Sequence, residues 1–339
     1  MIISNKKKLK LGIIGFGKIV EEIYYPALLG NEAIEIAGAA DISGERISSL
    51  KETLPHLQVY SNYRDLFSSC ALDAVLIATP PYAHAEAICE AYKSGIHILS
   101  EKPIVAHEKE LDLIQGLIKK QTMVIFPVHN YKIFLSVQRM KEFIAKGEIG
   151  TVENITIEMR APSHRLGVDE WMPHWRRKRE YSGGGIIIDY APHFISLASH
   201  FYSEIPKKAV AFFTAIDKQW GDEVEDNAVL RVEYPSGYAH INLSWRKDAD
   251  NYLKFFIQGS KGFIEGNKQE VRLYSPLTGS KKEELHFYPD SNKLPNWGSS
   301  VLSDFYKAII EKNFKNGEMI EALNNMKLVF DVYSKYDMD

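Results

Sequence analysis

Gly12-Ile13-Ile14-Gly15-Phe16-Gly17-Lys18-Ile19-Val20 is the stretch that decides how the first part of this chain folds. Leu9 to Ile14 reads as a short buried strand and Lys18 to Leu29 as a helix. A glycine-rich turn between a strand and a helix suits a dinucleotide pyrophosphate. Gly15 permits the tight turn, and Gly17 lets the backbone approach the phosphates at the helix N-terminus. Val20 holds the third position, where glycine or alanine is usual, so close helix–strand packing is the feature at risk. A second apolar strand, Ala33 to Ala40, ends at Asp41. An acid there favours the free 2′-hydroxyl of NAD over a 2′-phosphate, while nearby Arg46 leaves NADP open.

Outward from this turn, strand and helix alternate. Gly44 to Thr53 is helical, and Asp73 to Ala78 is a strand that stops at Thr79-Pro80-Pro81. Tyr82 to Lys93 is a helix, Ile96 to Leu99 a strand, His107 to Lys120 a helix and Met123 to Val128 a strand. That order predicts an α/β fold with an N-terminal Rossmann-type, doubly wound parallel sheet. Past residue 150 strands follow one another: Val152 to Arg160, Lys208 to Ile216, Asn227 to Tyr234, Tyr238 to Arg246 and Tyr252 to Gly259. Leu230, Val232 and Tyr234 alternate with Val229, Arg231 and Glu233, and Ile241, Leu243 and Trp245 alternate with Asn242, Ser244 and Arg246. The pattern predicts a C-terminal α+β domain with a large, open, mostly antiparallel sheet, one face covered by the helix after Gly185. Helices over Val301 to Lys312 and Met319 to Lys335 close the chain. The expected division is 1–128 for the dinucleotide and 129–339 for substrate and oligomerisation, with the closing helices able to return to the first domain.

At 339 residues, two domains are the prior. A formal net charge of −3 argues against nucleic acid or an anionic membrane as main partner. Cys70 and Cys89 form no CxxC pair, so no disulfide framework is implied and a cytoplasmic location is expected. The basic start, Asn5 to Lys10, is followed by an apolar run broken at Gly15, Gly17 and Lys18, which does not suit a signal peptide. No apolar run approaches the roughly 18 residues of a membrane span.

Two further stretches carry chemistry. Glu101-Lys102-Pro103 follows the strand Ile96 to Leu99, and the carboxyl ends of such strands are where ligands bind. An ammonium held there can polarise a carbonyl or steady an alkoxide. Ser182-Gly183-Gly184-Gly185 precedes a helix bearing Asp189 and His193, four apart and therefore on one face. An acid beside a histidine among Ile187, Ile188, Phe194 and Leu197 can move protons near neutral pH. No further ligand at metal-binding spacing accompanies the pair, so no metal is expected. In Trp171 to Arg179, Trp171 and Trp175 could stack on a sugar, and Arg176, Lys178 and Arg179 could meet a phosphate, although a solvated basic loop fits equally. His129, Asn130 and Tyr131 follow the last parallel strand, well placed to line a cleft.

Together, Gly12 to Gly17, Ala78-Thr79-Pro80-Pro81-Tyr82-Ala83-His84, Glu101-Lys102-Pro103, and Gly183 to Gly185 with Asp189 and His193 resemble the Gfo/Idh/MocA oxidoreductases. The resemblance spans nearly the whole chain. It implies an NAD(P)-dependent enzyme that interconverts a secondary alcohol and a ketone on a sugar, sugar nucleotide or cyclitol. It also implies a homodimer or homotetramer associating partly through the open sheet. Carried over by position, Lys102, Asp189 and His193 are the catalytic residues, and Tyr131, Trp175 and Arg176 join them in binding substrate. Cofactor contacts are expected from Gly15, Phe16, Gly17, Lys18, Ile19 and Asp41. Thr79, Pro80, Tyr82, His84, Glu101 and Lys102 complete that set, although His84 would equally serve as a helix cap. Tyr190 and Pro192 depart from the usual small or aliphatic residues, and Pro192 is expected near the start of its helix. Rival readings are a non-catalytic dinucleotide or sugar sensor of the same fold, and a reductase of an imine or dihydrodiol.

Overall fold

The computed structural model describes residues 8–217, 223–246, 250–284 and 297–335. The chain divides into two compact units, one of Met1–Val128, Leu166–Trp175 and Asn296–Leu323, the other of His129–Arg165, Arg176–Pro295 and Asn324–Asp339.

The first unit is built on β1 (Leu9–Ile14), β2 (Ile34–Ala40), β3 (Val59–Tyr60), β4 (Ala74–Ile77), β5 (His97–Ser100) and β6 (Ile125–Pro127). They lie in the order β3-β2-β1-β4-β5-β6, and every pairing is parallel. Leu11, Ile13, Leu76 and Ile98 are fully buried, as strands covered on both faces require. Register makes the strand ends flush. Ile14 pairs with Ala40 on one side and Ile77 on the other, and Ile77 pairs with Ser100. The loops starting at Gly15, Asp41, Ala78 and Glu101 therefore leave one edge of the sheet. Strand order reverses between β1 and β4, which opens the crevice where doubly wound sheets hold ligands.

The helix expected over Lys18 to Leu29 runs from Lys18 to Leu28 and contains a π-helical turn, Val20–Tyr24, ahead of its last α-helical turn, Tyr25–Leu28. Pro26 offers no amide and its ring crowds the carbonyl four residues back, so the coil widens ahead of it. Val20 is wholly buried within that turn. β3 has only two residues and so shows no periodicity from which it could be read.

The second unit carries β7 (Val152–Ala161), β8 (Lys208–Thr214), β9 (Asn227–Glu233), β10 (Tyr238–Trp245), β11 (Tyr252–Gly259), β12 (Phe263–Gly266), β13 (Glu270–Ser275) and β14 (Gly279–Glu284). Their order is β14-β13-β12-β11-β7-β10-β9-β8, antiparallel except where β10 runs parallel to β7. Leu230, Val232, Ile241, Leu243 and Trp245 are buried on one face, where the helix Ile186–Tyr202 packs on β9 and β10, while the helix Leu135–Ala145 packs on β12 and β13. On the other face Phe212 pairs directly with Val229, and both are exposed. The strands β12 to β14 escape sequence reading because β12 has only four residues, the alternation of β13 is brief and β14 has no apolar residue.

Candidate active site

In the first unit the turn after β1 is tightly specified. Gly15 has a φ of +81°, and a Cβ there would lie 2.9 Å from the Thr79 amide nitrogen. Any side chain would meet the neighbouring strand end as well as a left-handed backbone. Gly17 faces open space where its Cβ would stand, so the backbone remains approachable. The Phe16 amide donates to Asp41 Oδ2 at 2.8 Å, and the Ser43 amide donates to Asp41 Oδ1 at 3.0 Å. Asp41 thus ties its own loop to the glycine turn and holds its carboxylate at the end of β2. Phe16 serves the turn from within, with its ring buried and its amide committed. Lys18 and Ile19 are half-buried where the chain enters the π turn.

Arg46 does not stand open to a phosphate. Its guanidinium is buried between Glu21 and Glu170, 3.2 Å from the latter, and its Nε donates to the Phe16 carbonyl at 2.8 Å. This cation is already neutralised, which removes the feature that had left a 2′-phosphate in play.

The next two loops lock together through His84. Its Nδ1 lies 2.7 Å from the Pro103 carbonyl and its Nε2 2.8 Å from the Thr79 carbonyl, and the ring is fully buried. Both nitrogens are taken by protein, so His84 is a staple between the Thr79 and Lys102 loops; it neither caps its helix nor presents a nitrogen to a ligand. Burial lowers its pKa, with the nearby Lys102 charge adding to the effect, against the pull of the two carbonyls. Thr79 Oγ1 is buried with no hydrogen-bond partner among the described residues, beside the Gly15 turn. A cradle without room for a Cβ, an approachable glycine, a spare buried hydroxyl and an acid at the ribose position fit a dinucleotide.

Glu101, expected among the cofactor contacts, braces the loop. Its Oε1 accepts from the buried Tyr24 hydroxyl at 2.7 Å, and its Oε2 accepts from the Lys102 amide at 3.2 Å. Burial and the Glu101 charge raise the Tyr24 pKa well above its usual value, so the phenol stays a donor. Glu101 is buried while Lys102 is half-buried. Tyr82, expected at the cofactor, stacks on Trp171 with ring centres 6.5 Å apart. Gly167 lies beneath Trp175, since a Cβ there would come 3.1 Å from the indole.

In the second unit the triple glycine is a close-contact site. Gly183 adopts φ +82° at the end of the short helix Arg179–Ser182. A Cβ on Gly184 would meet the Tyr333 hydroxyl at 2.5 Å, and one on Gly185 would overlap the Glu225 backbone. Glu225, 2% exposed, accepts from the Gly185 amide at 3.0 Å, the Ile187 amide at 3.0 Å and the Tyr333 hydroxyl at 2.6 Å. It therefore fills the N-terminus of the helix Ile186–Tyr202, where amides lack intrahelical partners. Burial raises its pKa, opposed by these donors.

That helix presents Asp189 and His193. Arg176 Nε lies 3.7 Å from Asp189 Oδ2, and its NH1 donates to the Arg165 carbonyl at 2.9 Å. The basic loop thus divides by residue. Arg176 faces the acid, Arg177 is buried against Asp226 at 3.4 Å, and Lys178 and Arg179 are exposed. The His193 ring is buried, edge-on to Tyr131 at 5.1 Å and to His129 at 6.2 Å between centroids. Burial raises the Tyr131 and Tyr190 phenols far above their usual range, with Asp189 adding to both, so they act as neutral donors. Pro192 stands inside the helix, not in its first turn, and the helix runs on through it to Tyr202. Among the described residues no group of three or more His, Cys, Asp or Glu is arranged to hold a metal ion.

Residues 9–129 match the family model of an oxidoreductase family with an NAD-binding Rossmann fold, and residues 137–265 match the GFO/IDH/MocA C-terminal domain. The chain belongs to the Gfo/Idh/MocA oxidoreductases. Myo-inositol 2-dehydrogenase of Thermotoga maritima is 24% identical over 316 residues, covering 91% of this chain and 89% of that protein. Oxidoreductase P35 of Formosa agariphila is 24% identical over 200 residues, covering 59% of this chain and 62% of that protein's length. A solved structure of levoglucosan dehydrogenase with NADH and levoglucosan shares the fold, with a TM-score of 0.79 at 20% identity over 97% of this chain and 98% of that one. In this Gfo/Idh/MocA chain the glycine turn and Asp41 belong to the NAD-binding half. Glu225, Tyr333 and Tyr24 went unread because a buried acid or phenol looks like a surface one until its partners are known.

Proposed function

We propose that this oxidoreductase reversibly oxidises a secondary alcohol of a sugar, sugar nucleotide or cyclitol to a ketone with NAD. The observation that carries the reading is the Asp189–His193 pair on a helix whose N-terminus is braced by a buried carboxylate. In family context, an acid and a histidine held one turn apart can hand a proton between substrate and solvent. NAD, when bound, accepts a hydride from the carbinol carbon. His193 takes the hydroxyl proton, so alcohol and NAD⁺ give ketone, NADH and one proton. Asp189 orients the imidazole or holds a neighbouring hydroxyl, and Arg176 tempers its charge. Lys102, positioned by Glu101 and by the His84 staple, steadies the developing alkoxide.

Thr79 and Gly17 hold the pyrophosphate side and Asp41 the ribose, with Pro80 shaping the same loop. Tyr131 and Trp175 line the sugar. Copies associate through the exposed sheet face around Phe212, Val229, Tyr238 and Tyr252, which carries more apolar surface than solvent contact favours. Among the described residues no helix is long and apolar enough to cross a membrane, in keeping with a small-molecule substrate met in solution.

The test is a screen of cyclitols, aldoses and sugar nucleotides for NADH formation, followed by Lys102→Ala and His193→Ala. Each variant is expected to lose roughly 10²- to 10⁴-fold in turnover while NADH still binds. Near-normal turnover in both would remove the assignment.

A further inference from the structure

The second unit contains a cavity of about 720 Å³ whose wall includes Tyr131 and Tyr190. Its charged lining is Arg160, Lys254, Lys268 and Arg272 with Glu265 and Glu270. Both lining carboxylates already have partners in the same wall: Lys254 lies 3.7 Å from Glu265, and Arg272 lies 2.5 Å from Glu270. Arg160 leans on Glu158 at 3.9 Å. Lys268 forms no ion pair among the described residues. The wall therefore holds more cation than it neutralises, and Lys268 is the group through which the excess reaches the cavity.

The turn that carries Lys268 is held in place. It lies between β12 and β13, where Asn267 Oδ1 accepts from the Gln269 amide at 2.8 Å and the Glu270 amide at 2.9 Å. The Lys268 ammonium rests 5.9 Å from the Tyr131 ring centre and 5.7 Å from that of Phe134. The Tyr131 ring is in turn 5.1 Å from that of His193. The ammonium is thus at most about 11 Å from the His193 ring centre, given 5.9 Å to Tyr131 and 5.1 Å beyond it. A six-carbon sugar spans roughly 5 Å, and a hydrogen bond of about 2.8 Å at each end gives a reach of about 10 Å, of the same order as that upper limit.

We propose that Lys268 is a specificity-determining residue that binds an anionic group, carboxylate or phosphate, on the substrate at the end remote from the reacting carbon. This rests on the reading of His193 as the proton acceptor. It narrows the substrate to acidic sugars or cyclitols: uronates, aldonates or sugar phosphates.

The experiment is calorimetric titration of the NADH-loaded protein with D-glucuronate, D-gluconate and D-glucose 6-phosphate, against D-glucose and myo-inositol. At least one anionic probe is expected to bind about 10-fold or more tightly than the neutral ones, the margin of one charge-assisted hydrogen bond. Lys268→Met should erase that margin, and Lys268→Arg should keep most of it. The carboxylate and phosphate arms show which anion is preferred. The inference is overturned if no anionic probe binds more tightly than the neutral ones, or if the margin survives Lys268→Met. NADH formation from NAD⁺ and the same probes separates the two readings. Turnover of neutral polyols without an anionic margin defeats only the anion site; a Lys268-dependent margin with no turnover of any probe defeats only the dehydrogenase reading.

Discussion

Replacing Glu225 by alanine removes the acceptor that holds the start of the Asp189–His193 helix. Three donors lose their partner: the amides of Gly185 and Ile187, each at 3.0 Å, and the Tyr333 hydroxyl at 2.6 Å. A buried donor left unsatisfied costs about 1–3 kcal/mol. Against this, the raised pKa of Glu225 shows that burying its carboxyl is itself unfavourable, and deletion relieves that cost. Three such donors total about 3–9 kcal/mol, and relief of the buried carboxyl offsets part of it, which leaves a net loss of about 3 kcal/mol. The direct assay is amide hydrogen exchange at Gly185 and Ile187, where protection should fall about 100-fold. Tyr333→Phe removes one donor and leaves both amides paired, so its effect should be several-fold smaller. Because the helix carries His193, Glu225→Ala should also lower turnover more than the unfolded fraction explains. Unchanged protection at both amides, with Glu225→Ala as stable as wild type to within about 0.5 kcal/mol, would refute this account of the helix N-terminus.

His84→Ala should remove a buried ring and the one N–H that its neutral form donates to a carbonyl of Thr79 or Pro103, destabilise the first unit by about 2–4 kcal/mol and weaken NADH binding, read by urea unfolding and by fluorescence titration. The folded pKa of His84 lies below its unfolded value, so the unfolded chain binds the extra proton. Its contribution is complete above the ordinary histidine range and fades as pH falls through that range. The stability gap between wild type and His84→Ala should therefore narrow on acidification from about pH 7.5 to 5.5, and a widening gap would contradict the burial argument. Asp41→Ser removes the carboxylate that repels a 2′-phosphate, so the preference for NAD⁺ over NADP⁺ in kcat/KM should shrink by roughly 10-fold or more. Because Arg46 stays bound to Glu21 and Glu170, the change should come mainly from lost discrimination and not from new affinity for NADP⁺.

The parallel sheet, the glycine turn and the acid at Asp41 were legible because each depends on local pattern. Apolar runs ending in glycine or proline define strand ends, and parallel strands gather their carboxyl ends on one edge. The Asp189–His193 pair was legible for the same reason, since a spacing of four fixes a shared helix face. The roles of Arg46 and the basic loop stayed open in the sequence because charge in a sequence says nothing about which charges meet. Arg46 lies in a nest of carboxylates contributed by Glu21 and Glu170, and the run Arg176 to Arg179 divides among an acid, a buried pair and solvent.

By itself the sequence determined the two kinds of sheet, the position of the dinucleotide turn and the helix that bears Asp189 and His193, all consequences of periodicity and short spacing. Only tertiary structure decided what holds them. Glu225 reaches back 40 residues to the Gly185 amide, Tyr24 reaches 77 residues to Glu101, and His84 joins two loops through the carbonyls of Thr79 and Pro103. The physical reason is that a buried hydrogen bond selects its partner by position in space, and that position exists only once the sheet has set the register of its strands.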